Sequence, residues 1–319
     1  MSDPATPPAP SAPHPAARRK WRFKLIGPLA VLLLAVWFAP AVVAKTALRN
    51  RIARSAAGDL NGTLDVGDAS LGWFSNVELR GVTLTDPQGR VVAHVPKVTV
   101  GRTLVSLIRD PGDLGEIVVT GPVVEVVCER DTSNLETVLQ KLLADTSPPS
   151  TGPRTPLNLR VAGGTLTVRD TDTGRFSEFR EIDATVTVPA ARTEPVAVKL
   201  TANAPARVDV EASIGEPSRV RVATSGFALE ALAPLLRRAD PKLGVAGSLT
   251  ADLTVVVGAG AGSVDGTLGV KGLAVTAPAL SGDTLRLASA ELPVRASVSG
   301  GALRVERAEL TCDVGTARL

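Results

Sequence analysis

Tyrosine is absent from this 319-residue sequence, histidine and cysteine occur twice each, and methionine occurs once. Six phenylalanines and three tryptophans are the whole aromatic complement. So few rings cannot furnish the stacking platforms of single-strand nucleic-acid modules, and the histidines are too few for His-built metal sites. His14 lies in a Pro/Ala-rich opening, which leaves His94 alone in the body, within Val91-Val92-Ala93-His94-Val95-Pro96. No nucleophile accompanies it in sequence, so it reads as a strand-surface residue. Gly-x-Ser-x-Gly, P-loop and His-Glu-x-x-His patterns are all missing. Gly121-Pro122 and Gly163-Gly164 do not open helices and cradle no phosphate. These absences argue against an enzyme.

Two cysteines do not make a disulfide framework. Cys128 and Cys312 are each in phase with apolar neighbours two residues away, the pattern of small buried hydrophobes; a disulfide between them is the alternative.

The sequence pI of 9.1 invites a nucleic-acid reading until the charge is located. Residues 1–54 carry nine Lys/Arg and one acid, Asp3, whereas residues 55–319 hold 26 bases against 31 acids. The body is therefore mildly acidic and would repel a phosphate backbone. Within the basic region, a tail over 1–24 holds six prolines between Pro4 and Pro15 and then a cluster of bases. Residues 25–44 follow without a charge. At 1.5 Å per residue such a stretch matches a hydrocarbon core of about 30 Å, which predicts a transmembrane helix with Trp21 and Trp37 as interfacial anchors. A signal peptide cleaved after Val42-Val43-Ala44 is the rival reading. Either one exports everything after Lys45.

Beyond the membrane segment, apolar residues alternate with polar ones. Ile182, Ala184, Val186 and Val188 form one such run, and Leu249, Ala251, Leu253, Val255 and Val257 another. This period of two predicts a mainly β body with one apolar and one wet face. A pattern of Gly, small residue, Leu, any residue, small apolar recurs at Gly62, Gly164, Gly247, Gly266 and Gly301, and is expected to mark strand starts. Its spacing is unequal, so the chain is no fixed-period propeller or solenoid; a long meander fits.

Helical signals are few. Leu135, Val138, Leu139, Leu142 and Leu143 lie on one face, and Ser133 with Glu136 forms a capping box before them. Phe227, Leu229, Leu232, Leu235 and Leu236 predict a second helix interrupted at Pro234, and a third turn is expected over 103–109. Residues 145–158, with four prolines, read as a linker between a β/α segment over 45–144 and a β-rich remainder over 159–319. Asp170, Asp172, Glu178, Glu181 and Asp183 cluster, but the spacing departs from a calcium loop, and Asp170–Gly174 reads as a hairpin turn.

A sandwich or closed barrel would bury the apolar face as core. The alternative is an open curved sheet whose apolar face is occupied by something else, and the adjacent anchor points to lipid.

Several ordered features resemble a known group. They include Leu60-Asn61-Gly62-Thr63-Leu64, Leu71-Gly72-Trp73-Phe74, Val77-Glu78-Leu79-Arg80-Gly81-Val82, Ile117-Val118-Val119-Thr120-Gly121-Pro122, Ser133-Asn134-Leu135 before a Leu-rich helix, and Leu159 to Asp170. Over residues 25–319 the chain resembles the AsmA-like and TamB-like family of repeating-β-groove proteins. The resemblance implies an inner-membrane, single-pass protein with its body in the periplasm. It implies an extended antiparallel β-meander forming a groove with two or three short helices, and a role in phospholipid transport and outer-membrane biogenesis. A non-transporting scaffold for envelope assembly is the alternative. Phospholipid, the membrane and an envelope partner protein are the implied partners; no cofactor, metal or nucleic acid is. In such a groove, parity turns Val124, Val126, Cys128, Leu166, Val168, Val208, Val210, Leu253 and Val255 toward acyl chains. About a dozen strands would span only ~60 Å, shorter than bridging members. Alternation still runs through Leu310, Cys312 and Val314, as in a fragment or a short member that works with a partner.

Overall fold

Alternating sequence becomes sheet here because each strand can bury one face only by lying beside another with the same parity. The computed structural model describes Trp37, Lys45, Gly58 and residues 60–318, except 131, 145–153, 205, 241, 281–282, 301 and 314. The expected tail over 1–24 and membrane helix over 25–44, Trp37 apart, lie outside the described residues. Among those residues no helix is long and apolar enough to cross a membrane.

Fifteen strands form one sheet. They are β1 (Thr63–Ser70), β2 (Asn76–Thr85), β3 (Val91–Thr103), β4 (Glu116–Thr120), β5 (Val123–Cys128), β6 (Leu157–Asp170), β7 (Phe176–Val188) and β8 (Val196–Ala204). The series continues with β9 (Ala206–Ile214), β10 (Ser218–Ala228), β11 (Gly244–Gly258), β12 (Ala261–Thr276), β13 (Thr284–Ser299), β14 (Ala302–Cys312) and β15 (Gly315–Arg318). Three short helices join them: α1 (Leu104–Arg109), α2 (Asn134–Ala144) and α3 (Ala233–Ala239).

Neighbours in sequence pair antiparallel from β1 to β4 and from β6 to β15, as a meander should. The expected all-antiparallel pattern fails at one place. β6 runs parallel to both β4 and β5. The intervening chain carries α2, and a parallel return needs a long crossover of this kind. β4 and β5 are two halves of one broken strand in the gap between β3 and β6. Gly121, at φ 61°, and Pro122, which has no N–H, make the break. The residues on the two sides of the Pro-rich stretch thus share one sheet, and β6 begins at Leu157.

The recurrent glycine pattern does not mark strand starts. Gly62 precedes β1, but Gly164, Gly247 and Gly266 lie inside β6, β11 and β12, and Gly301 is outside the described residues. Gly164 and Gly247 coincide with shifts of ladder register. Gly266 serves a close approach: at φ 152° an added Cβ would lie 2.0 Å from the Asp252 carbonyl oxygen.

The helices follow their local signals. Ser133 accepts a hydrogen bond from the Glu136 N–H at 3.1 Å and starts α2. Thr103 caps α1. The second predicted helix is corrected in two respects: Phe227 belongs to β10, and Pro234 sits in the first turn of α3, after a 3-10 turn over Leu229–Leu232, instead of interrupting a helix. Proline tolerates that place because its missing N–H would have no intrahelical partner there.

Register then aligns the parity of all these strands. One row runs through Val77, Val100, Ile117, Leu159, Val186, Val198, Ala212, Val220, Val255, Val264, Ala296 and Val305. The next runs through Ala69, Leu79, Val98, Val119, Val161, Ala184, Leu200, Val210, Val222, Leu253, Gly266, Val294 and Ala308. Neither row contains a polar side chain. Thirteen strands at ~4.8 Å make the longer one roughly 58 Å across.

Candidate functional site

Among the described residues, the apolar face is covered at one end and open along the rest. Covering begins with Phe179 of β7 and Phe227 of β10, whose rings stack with centroids 6.3 Å apart. In a flat sheet those strands would be about 14 Å apart, so the sheet bends around its apolar side here. α3 fits into the bend and touches β5, β6 and β11. Val126, Cys128 and Val168 are buried beneath the cover, with Val124, Leu135, Leu166 and Phe179 packed against them. Five of the nine sequence-predicted lining residues, Val124, Val126, Cys128, Leu166 and Val168, therefore belong to a packed core. The other four, Val208, Val210, Leu253 and Val255, lie farther along the same face. There the exposure rises to 38% at Val255, 57% at Val257 and 41% at Val298.

Two polar devices hold the cover in place. Asn134 is fully buried at the start of α2; its Oδ1 accepts from the Val127 N–H and its Nδ2 donates to the Glu125 carbonyl, both at 2.8 Å. β3 pairs with β5 only at Val123 and Val124, and beyond them the carboxamide stands in for a strand on the edge of β5. Arg238 of α3 donates from Nη1 and Nη2 to the two carboxylate oxygens of Glu136, each at 2.9 Å. This bidentate pair ties α3 to α2 and holds the Glu136 carboxyl below its ordinary value, with Ser133 adding to the effect. Burial pushes the Cys128 thiol up. Both cysteines are free, so no disulfide joins Cys128 to Cys312.

The opposite face is wet. A row through Glu78, Thr99, Val118, Arg160, Thr185, Lys199, Glu211, Arg221, Thr254, Asp265, Arg295 and Arg307 backs the apolar rows. Several charges on this face are paired: Lys199 with Glu211 at 3.3 Å, Arg221 with Asp252 of the adjacent row at 2.8 Å, and Arg295 with Asp265. Two broad hollows, about 690 and 800 Å³, open on this side, the first lined by Lys199, Glu211, Arg221, Asp252 and Asp265.

The acidic cluster is dispersed by the fold. Asp170 is buried and organises the β6–β7 turn, accepting from the Asp172 N–H at 2.9 Å and the Thr173 hydroxyl at 2.8 Å. Asp183 accepts from the Gly163 N–H, Glu181 from Asn203, and Glu178 from Arg180. His94 is exposed on β3, with Nδ1 3.2 Å from the Thr83 hydroxyl. Among the described residues no three His, Cys, Asp or Glu side chains gather as a metal site would require.

No protein-family model matches this chain, and no curated protein matches it either. Sequence reasoning missed Phe179, Phe227, Glu136 and Arg238 as the closure of the covered end. The pairing of Glu136 with Arg238 has no sequence signal, because 102 residues separate them. The two rings had no parity signal either: Phe179 and Phe227 are out of phase with the apolar runs of their own strands, and each reaches the apolar side through a shift of ladder register.

Proposed function

We propose that this chain is a membrane-anchored, AsmA-like protein of the cell envelope that binds phospholipid by its acyl chains and moves it from the inner membrane across the periplasm. The observation that carries the reading is the pair of adjacent apolar rows, twelve and thirteen strands long and without a polar side chain. A globular domain covers such a face with a second layer. Among the described residues only one end has that layer, and β11 to β14 leave valines half exposed where water contact is costly. An acyl chain laid along the rows removes both apolar surfaces from water, at about 0.8 kcal/mol per methylene. The charged face behind would keep the sheet wet on one side. No bond is made or broken in this process. A partner in the envelope completes a path longer than ~58 Å.

A transfer assay tests the reading. The full chain is reconstituted in donor vesicles, and movement of fluorescent phosphatidylethanolamine to acceptor vesicles is followed. Leu253→Asp with Val255→Asp should abolish transfer while the far-ultraviolet circular dichroism stays that of the parent. Unchanged transfer by the folded variant would favour the assembly scaffold.

A further inference from the structure

At the covered end, the β6–β7 turn, α3 and the start of β11 enclose a hollow of about 410 Å³. Its walls are of two kinds. Phe176, Pro234, Leu243 and Val245 supply apolar surface, and Arg175 and Arg237 supply two guanidinium groups. Neighbouring arginines are matched by acids: Arg238 by Glu136 at 2.9 Å, Arg169 by Glu125 at 3.1 Å, and Arg130 by Asp172 at 4.0 Å. Arg175 and Arg237 have no acid within ion-pair distance among the described residues. The one carboxylate on the same hollow, Glu230, accepts from the Gly247 N–H at 3.2 Å. Two unmatched guanidinium forks beside apolar walls, where the apolar face ends, suit a phosphate carried on a hydrocarbon body.

We propose that this hollow binds the phosphate group of an amphiphile whose acyl chains continue onto the apolar rows. The assignment rests on the lipid reading above and adds to it a headgroup contact and a polarity for the bound molecule, with phosphate at the α3 end. Free phosphate shares the chemistry, and the experiment separates the two.

The full chain, held in a nonionic amphipol, is titrated calorimetrically with dihexanoyl phosphatidic acid below its micelle concentration, with dihexanoylglycerol, and with inorganic phosphate. Phosphatidic acid should bind at least tenfold more tightly than dihexanoylglycerol. Arg175→Gln with Arg237→Gln should erase that preference and leave dihexanoylglycerol binding intact, and Arg175→Lys with Arg237→Lys should retain part of it. Salt provides a reading without substitution: the preference of the parent chain should shrink as ionic strength rises. A preference that survives in the glutamine variant, or that ignores salt, overturns the proposal. Inorganic phosphate binding as tightly as phosphatidic acid overturns the headgroup assignment. Failure of the lipid reading itself looks different, because dihexanoylglycerol would then not bind at all and Leu253→Asp would leave phosphatidic acid binding unchanged.

Discussion

Arg238 and Glu136 meet through two hydrogen bonds of 2.9 Å and so join α3 to α2 across the covered end of the sheet. α2 arises from the crossover that makes β6 parallel to β5, and α3 from the connection between β10 and β11. The pair therefore holds the two covering helices together. Arg238→Gln should lower unfolding stability by about 1 to 2 kcal/mol, since both partners are only partly buried. Chemical denaturation of the full chain in nonionic detergent measures it.

The same pair gives a pH dependence. Glu136 titrates below its ordinary value of 4.5 in the folded chain, so the native state favours the carboxylate. Its contribution is complete above 4.5 and is lost as pH falls from there toward the native value. Asp86 acts in the same direction. Burial alone would raise it, but the Arg90 guanidinium and backbone N–H outweigh burial and hold it below its ordinary value of 3.8. The stability difference between the parent and Glu136→Gln should stay constant from neutral pH to about 5 and vanish in stronger acid. A difference that grows on acidification would contradict the assignment.

Asn134 is fully buried and satisfies two backbone groups of β5. Asn134→Ala leaves both without a partner and should cost about 2 to 4 kcal/mol. Asn134→Asp keeps the acceptor for Val127 but faces the Glu125 carbonyl with a negative oxygen, and should be no better. Thermal unfolding followed by circular dichroism distinguishes these from the parent.

Gly266 tests the close approach of β11 and β12. An added methyl would meet the Asp252 carbonyl oxygen at 2.0 Å and the Leu253 Cα at 2.9 Å, at a φ that L residues rarely adopt. Gly266→Ala should cost about 2 kcal/mol or more, read from the denaturation midpoint. Gly269→Ala in the same strand, where the nearest atom is 3.9 Å away, is the control and should cost much less.

Alternation made the strands and the apolar face legible, because parity is a property of sequence. Leu253 and Val255 could be assigned to one face before any pairing was known. What parity could not supply was register. Val126 and Val210 have the same alternation, yet Val126 lies under α2 and α3 in a packed cluster while Val210 lies between Leu200 and Val222 on the uncovered part. That difference depends on a crossover helix and on Phe179 meeting Phe227, contacts between residues far apart in the chain. The glycine pattern misled for a related reason. Gly164 and Gly247 mark shifts inside strands, and a shift is defined only against the neighbouring strand.

The split between core and open face sets opposite outcomes for similar substitutions. Val126→Asp places a carboxylate in the packed cluster and should destabilise by more than about 3 kcal/mol. Val255→Asp leaves its charge in reach of water and should cost under about 1 kcal/mol in the lipid-free protein. Denaturation of both variants in parallel checks the contrast.

Photo-crosslinking in membranes tests most directly the proposal that the apolar face binds lipid. A photoreactive amino acid is placed singly at Val255, Val257 and Val298 on the apolar face, and at Arg221, Thr254 and Asp265 on the wet face. After irradiation, mass spectrometry of the purified full chain identifies the adducts. Phospholipid adducts at the first three positions and none at the second three are the predicted result. Equal labelling of both faces, or adducts with protein alone, would contradict it.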